Sequence, residues 1–155
     1  SWILAFYSIW IHFITYFFKK MIDSKIIKIA SFTDNAGLRN KYTHKSFAKN
    51  SLCGDRIKME FIADNSKIKS IRYETESCIL CEASASLFSK KVKGVKIKVL
   101  IKEIEKFKKI KNDIKFSFTD NFKDFNELIN KKNISRLNCV ILPMDAFLKA
   151  FKVLK

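Results

Sequence analysis

Four cysteines and one aspartate are the residues of this chain best suited to chemistry. Cys53 and Asp55 stand in the run Asn50-Ser51-Leu52-Cys53-Gly54-Asp55, Cys78 and Cys81 form a Cys-x-x-Cys, and Cys139 lies in SRLNCVILP over 135–143. Three thiolates and a carboxylate satisfy a tetrahedral zinc ion, or hold an iron-sulfur cluster loosely, because a carboxylate binds iron more weakly than a thiolate does. Gly54 permits an unusual backbone beside Cys53. Scattered buried cysteines account for the same spacings, and the residues alone leave both readings open. The Cys-x-x-Cys is equally open: half a zinc site, a redox pair, or two residues on one helix face, since Cys81 at i+3 reaches the side that Cys78 faces. With only 2 His in the chain, most imidazole-based catalytic or zinc sites are disfavoured.

The elements that must position these residues are read from periodicity. Arg56–Ala63 alternates Ile57, Met59, Phe61 and Ala63 on one face with Lys58 and Glu60 on the other, solvated one. Asp64-Asn65-Ser66 reads as a turn, and Lys67–Glu74 as a second strand burying Ile68, Ile71 and Tyr73. A short strand is expected near Ser46–Asn50 within an otherwise irregular 32–50. Helices are expected over Met21–Ser31, Ile79–Val92 ending at Gly94, Val95–Lys111, Lys123–Asn130 and Asp145–Leu154, with a loop at 112–122. The fold class is therefore α+β, a small antiparallel three-stranded sheet with helices packed on one face. Cys53, Cys78 and Cys139 all fall at element ends, where side chains distant in sequence converge.

Composition limits the partners. The chain has 155 residues, 48% of them apolar, enough to bury a core, with only 3 Gly and 1 Pro. Its formal charge of +16 comes from 27 Lys and only 4 Arg, spread from Lys19 to Lys155. Lys, Ile, Asn and Phe are overused together, as in chains encoded by A/T-rich DNA. A nucleic-acid binder concentrates Arg beside aromatics, so no nucleic-acid partner is expected. A basic nucleic-acid-binding module is kept as the competing class.

Residues 2–18 contain no charge, hold 8 of the 21 aromatics, and are followed by Lys19 and Lys20. As a helix they span about 25 Å, just short of a hydrocarbon core. They form either a marginal membrane anchor or a non-native extension upstream of a start at Met21, and the second reading is preferred. The chain thus divides into an apolar extension, 1–20, and one domain, 21–155. A cytoplasmic location is expected, with membrane association only through residues 2–18.

The cysteine segments resemble the NifU/IscU/SufU family of iron-sulfur cluster scaffolds. NSLCGDRIKMEF (50–61) resembles the family's first motif, an Asn-Pro-x-Cys-Gly-Asp leading into a strand, with Ser51 in place of Pro. IRYETESCILCEASASLFSKKVKG (71–94) resembles the second, a strand ending at Cys before a Ser/Ala-rich helix. SRLNCVILPMDAFLKAF (135–151) resembles the third, an Arg-x-x-Cys before a final helix. The order agrees, and the 61 positions between Cys78 and Cys139 are similar to the SufU branch. Asn138 stands where the IscU branch has His, and the chain lacks that branch's Leu-Pro-Pro-Val-Lys segment.

The resemblance implies that Cys53, Asp55, Cys78 and Cys139 are the metal or cluster ligands, that Asp55 keeps the cluster labile, and that Cys139 accepts persulfide sulfur. Arg136 and Cys81 would be auxiliary. The implied activity is that of a scaffold and carrier, not an enzyme. It would receive iron, and sulfur from a cysteine desulfurase, form a transient [2Fe–2S] cluster, and pass it to apo-proteins. A zinc-dependent sulfurtransfer partner of the desulfurase is the near alternative.

Overall fold

The computed structural model describes residues 2–21, 24–109, 120–129 and 133–152. Three antiparallel strands, β1 (His44–Lys49), β2 (Arg56–Asp64) and β3 (Lys67–Glu76), form one sheet in the order β1-β2-β3. In chain order the helices are α1 (Trp2–Met21), α2 (Ser24–Ala30), α3 (Ile79–Val92), α4 (Ile97–Lys109) and α5 (Leu137–Ala150), with 3-10 helices over Asp120–Glu127 and Ile134–Arg136. This is the expected α+β class.

The hairpin follows from its residues. Asn65 and Ser66 both take positive φ, 49° and 65°, which matches the right-handed twist of the flanking strands. Ile57, Met59 and Phe61 point into the core from β2. On β3 the buried positions are Ile68, Ile71 and Tyr73, a spacing that breaks strict alternation. A bulge explains it: Ile62 pairs with Ser70 and Ala63 with Ile68, so Lys69 is the extra residue.

Helices α3 and α5 cover the inward face of the sheet. Phe61, Phe88 and Phe147 meet there edge to face, with centroids 5.6 and 5.9 Å apart. Each fully buried aromatic of this size contributes about 1.5–3 kcal/mol, so this cluster is the principal tie between sheet and helices. Serines make the polar ties. Ser46 Oγ donates to the Ala146 carbonyl at 2.6 Å, Ser84 Oγ to the Val140 carbonyl at 2.5 Å, and Ser86 Oγ to the carbonyls of Ile29 and Phe32. These bonds set β1, α3, α2 and α5 in fixed register.

The other face of the sheet is not simply solvated. Residues 35–43 cross it as a strap, from the outer edge of β3, where Gly37 N–H donates to the Tyr73 carbonyl at 2.8 Å, to the start of β1. Glu60, expected in solvent, is only 4% exposed. Its carboxylate accepts the backbone N–H groups of Arg39 at 2.9 Å and Asn40 at 3.0 Å. Arg72, its register partner, donates to the carbonyls of Asp34, Ala36 and Gly37. Glu60 is buried and Arg72 half-buried because they satisfy the strap's backbone. Glu60→Ala leaves two inward N–H groups unpaired and is expected to cost about 2–4 kcal/mol in urea denaturation, with new proteolysis in 35–43. Glu60→Gln, which keeps an acceptor, should lose less than half of that.

Several boundaries differ from expectation. Val95 and Lys96 are extended, with Val95 accepting from Ile68 N–H at 3.1 Å, so α4 begins only at Ile97. The segment expected over Lys123–Asn130 is a 3-10 helix that starts earlier, at Asp120. Most of the expected 112–122 loop, and residues 22–23, 110–111, 130 and 153–154 of the expected helices, lie outside the described residues. The last helix begins at Leu137, eight positions before the expected start, and contains Pro143.

Helix α1 exposes its large apolar side chains, from Trp2 at 85% to Ile14 at 38%. Among the described residues, no helix is long and apolar enough to cross a membrane.

Candidate metal centre

The site is assembled from three element ends. The first is the β1–β2 loop. Asn50 closes it by pairing with Asp55 (N–H to carbonyl, 2.8 Å), accepting Gly54 N–H on its own carbonyl at 2.8 Å, and accepting Leu52 N–H on Oδ1 at 3.0 Å. Gly54 has φ +76°, a conformation an L side chain resists. This turn places Cys53 outward and exposed while Asp55, two residues on, is 5% exposed. Ser51 in place of the motif's proline does not open it, because Asn50 supplies the closure.

The second end is the β3–α3 junction. Cys78 is the N-cap residue of α3, with extended φ and ψ of -69° and 164°. Its side chain makes no capping bond, so the thiol is left for other work. Its backbone N–H donates to Asp55 Oδ1 at 3.0 Å. The third end is the first turn of α5, which carries Cys139. Pro143 has no N–H to return to the Cys139 carbonyl four residues earlier. The helix continues nonetheless, because Leu142, Met144, Phe147 and Leu148 are all buried around it. Sequence reading places Cys139 ahead of a helix that starts at Asp145; burial carries the helix back through Pro143 to Leu137.

These ends converge. One ligand atom each from Cys53, Asp55 and Cys139 lies within 4.8 Å of the others. The Cys53 and Cys139 sulfurs are 3.5 Å apart, and all four cysteines are free thiols. Cys78 joins through its amide on Asp55, while its thiol stands outside the group whose ligand atoms lie within 4.8 Å. Burial pushes the Asp55 pKa up, but the Cys53 thiol, the Cys78 amide and thiol, and the Cys139 thiol outweigh it and hold the carboxyl below its ordinary value. Asp55 Oδ2 is buried without a hydrogen-bond partner. A buried anionic oxygen left open among three thiols fits a cation better than it fits a closed core. Burial first, then the Cys53 thiol and the neighbouring Cys78, raise the Cys139 thiol well above the ordinary range.

The two auxiliary residues separate. Cys81 is fully buried on α3, next to the site but outside the converging group. Burial pushes its thiol up to about 12, only partly offset by a bond with Ser77. That is an inert core thiol at neutral pH. Arg136 is exposed at the residue preceding α5, three positions before Cys139. Asn50 and the Cys78 amide are the contributors that residue type alone did not flag as functional. An Asn opening a tight loop is a readable signal; a backbone donor is not.

Residues 22–140 match the family model for the NifU-like N terminal domain. The chain belongs to this family. It is 26% identical over 136 residues to the iron-sulfur cluster assembly scaffold protein IscU of Thermotoga maritima, spanning 87% of this chain and 95% of that one. The fold is similar to the crystal structure of a NifU-like N-terminal protein from Brucella abortus, with TM-score 0.75, 17% identity, and 84% and 91% of the two chains covered. It is also similar to a putative SUF-system scaffold from Fervidobacterium islandicum, with TM-score 0.73, 19% identity, and 84% and 96% covered. This NifU-like chain is thus a member of the iron-sulfur cluster assembly scaffold family, as its three cysteine motifs indicate.

Proposed function

We propose that this NifU-like chain assembles a transient [2Fe–2S] cluster on Cys53, Asp55, Cys78 and Cys139 and hands it to apo-proteins. The observation that carries this is the convergence of Cys53, Asp55 and Cys139 within 4.8 Å around an unpartnered carboxylate oxygen, with the Cys78 amide bonded to Asp55. Iron and sulfide are cargo here, not a resident cofactor. The chain supplies three soft donors and one hard, exchangeable donor. No small substrate is turned over by it.

Sulfur enters as a persulfide from a cysteine desulfurase. Cys53 is exposed, whereas Cys139 is 3% exposed. The Cys53 thiolate attacks the terminal sulfur of the donor persulfide; the donor S–S bond breaks, its thiolate leaves, and the terminal sulfur ends on Cys53. The Cys139 thiolate, 3.5 Å away, then attacks that same sulfur and releases the Cys53 thiolate. Cys139 is thereby the acceptor that stores sulfur, and Cys53 the one that meets the donor. Arg136, cationic and exposed beside this end of α5, favours an anionic persulfide there.

The same donor set completes a tetrahedral zinc site, which supports a second reading as a zinc-dependent sulfur shuttle. Anaerobic reconstitution with iron and sulfide, followed by visible absorption beside zinc analysis of the purified chain, separates the two. The wild type is expected to develop thiolate-to-iron absorption that Cys78→Ser loses by about 10-fold. Iron and zinc binding no tighter in the wild type than in Cys78→Ser would defeat both readings.

A further inference from the structure

We propose that α1 is an in-plane membrane helix, embedded in the headgroup region of an anionic bilayer, and that it tethers the scaffold domain there. Eleven large apolar side chains between Trp2 and Tyr16 are exposed. An apolar area of this extent marks an interaction surface. The matched family domain begins at residue 22, so α1 is additional to the fold that builds the site.

Three observations choose lipid as the occupant. Ser8, His12 and Thr15 recur at i, i+4 and i+7, a polar stripe within an arc of about 60°. Phe6 and Phe13 stand opposite it. Laid in an interface, the helix turns this stripe to the headgroups and its apolar arc to the acyl chains. Next, Trp2, Tyr7, Trp10 and Tyr16 are spaced along the whole helix. Trp and Tyr prefer headgroup depth, so an in-plane helix suits all four, whereas a spanning one buries Trp10 and His12 near the bilayer centre. Finally, the apolar run ends at Lys19-Lys20, and the rest of the chain adds 29 basic against 15 acidic residues. That charge complements anionic headgroups.

Both tryptophans of the chain are in α1, so tryptophan emission reports this helix alone. The full chain is mixed with vesicles of phosphatidylcholine alone, or with phosphatidylglycerol added, at fixed salt. The expected result is a blue-shifted emission and co-sedimentation, stronger on the anionic vesicles. The Lys19→Gln/Lys20→Gln variant should partition about 30-fold more weakly. Phe6→Asp/Phe13→Asp should lose the blue shift and the binding, with far-UV circular dichroism of the domain intact. Three results overturn the proposal: no shift and no sedimentation with either vesicle; binding that survives Phe6→Asp/Phe13→Asp; or a blue shift without vesicles that grows with protein concentration, which would make a second copy the occupant. So would mass spectrometry of the protein from its own cells showing a mature chain that begins at Met21.

Discussion

Cys53→Ser is expected to abolish persulfide loading of the whole site, Cys139 included. A thiol accepts sulfur only as a thiolate with access to the donor. Cys139 fails on access, being 3% exposed. Cys53 is exposed on a loop that Asn50 and Gly54 hold in shape. The serine variant keeps this loop, since Asn50 makes its closing bonds to backbone N–H groups and a carbonyl. Loading after one exposure to a persulfide donor, read by mass spectrometry of alkylated peptides, should fall by at least about 100-fold at position 139. Cys139→Ser should behave oppositely, with position 53 loaded at the wild-type rate and the sulfur retained there. Wild-type loading of Cys139 in Cys53→Ser would refute the order of transfer and leave the ligand set to be judged by reconstitution.

What the sequence made legible follows from the range of the forces involved. Helix α3 matches its expected bounds, Ile79–Val92, and the hairpin starts where expected and ends at Asp64 and Glu76, because an Ala/Ser-rich run ended by Gly94 and period-2 alternation about a turn are local signals. The strap over 35–43 was not legible. It exists because Glu60 and Arg72 satisfy backbone groups 20 to 35 positions away. Glu60 looks like any strand glutamate until those partners are known. The start of α5 was missed for a similar reason: Pro143 reads as a breaker, and only the burial on every side of 139–148 keeps the helix intact. In the site, cysteine type and motif order pointed to four residues. The contact that pins the first loop to the second, Cys78 N–H to Asp55 Oδ1, is a backbone bond with no sequence signature.

That bond gives Asp55 two tasks, and two substitutions separate them. As proposed donor, its oxygen is the weak link among three thiolates; as acceptor, it holds the Cys78 amide at 3.0 Å. Asp55→Cys exchanges the hard donor for a soft one and gives a four-thiolate set. A metal–sulfur distance is about 0.2 Å longer than metal–oxygen, which partly offsets the shorter side chain. The reconstituted cluster is expected to persist at least about 10-fold longer in the presence of a chelator, and its transfer to an apo-ferredoxin to slow in proportion. Losing the amide's acceptor should cost about 1–2 kcal/mol of stability in the metal-free chain. Asp55→Asn keeps a carbonyl oxygen for the Cys78 amide but removes the charge. It should unfold like the wild type to within about 1 kcal/mol, yet hold cluster more weakly, because a neutral oxygen no longer balances iron. The two variants thus move retention in opposite directions about the wild type. If Asp55→Cys released cluster as fast as Asp55→Asn, the carboxylate would be an anchor for Cys78 and not a ligand, and the lability of the cargo would have to come from the exposure of Cys53.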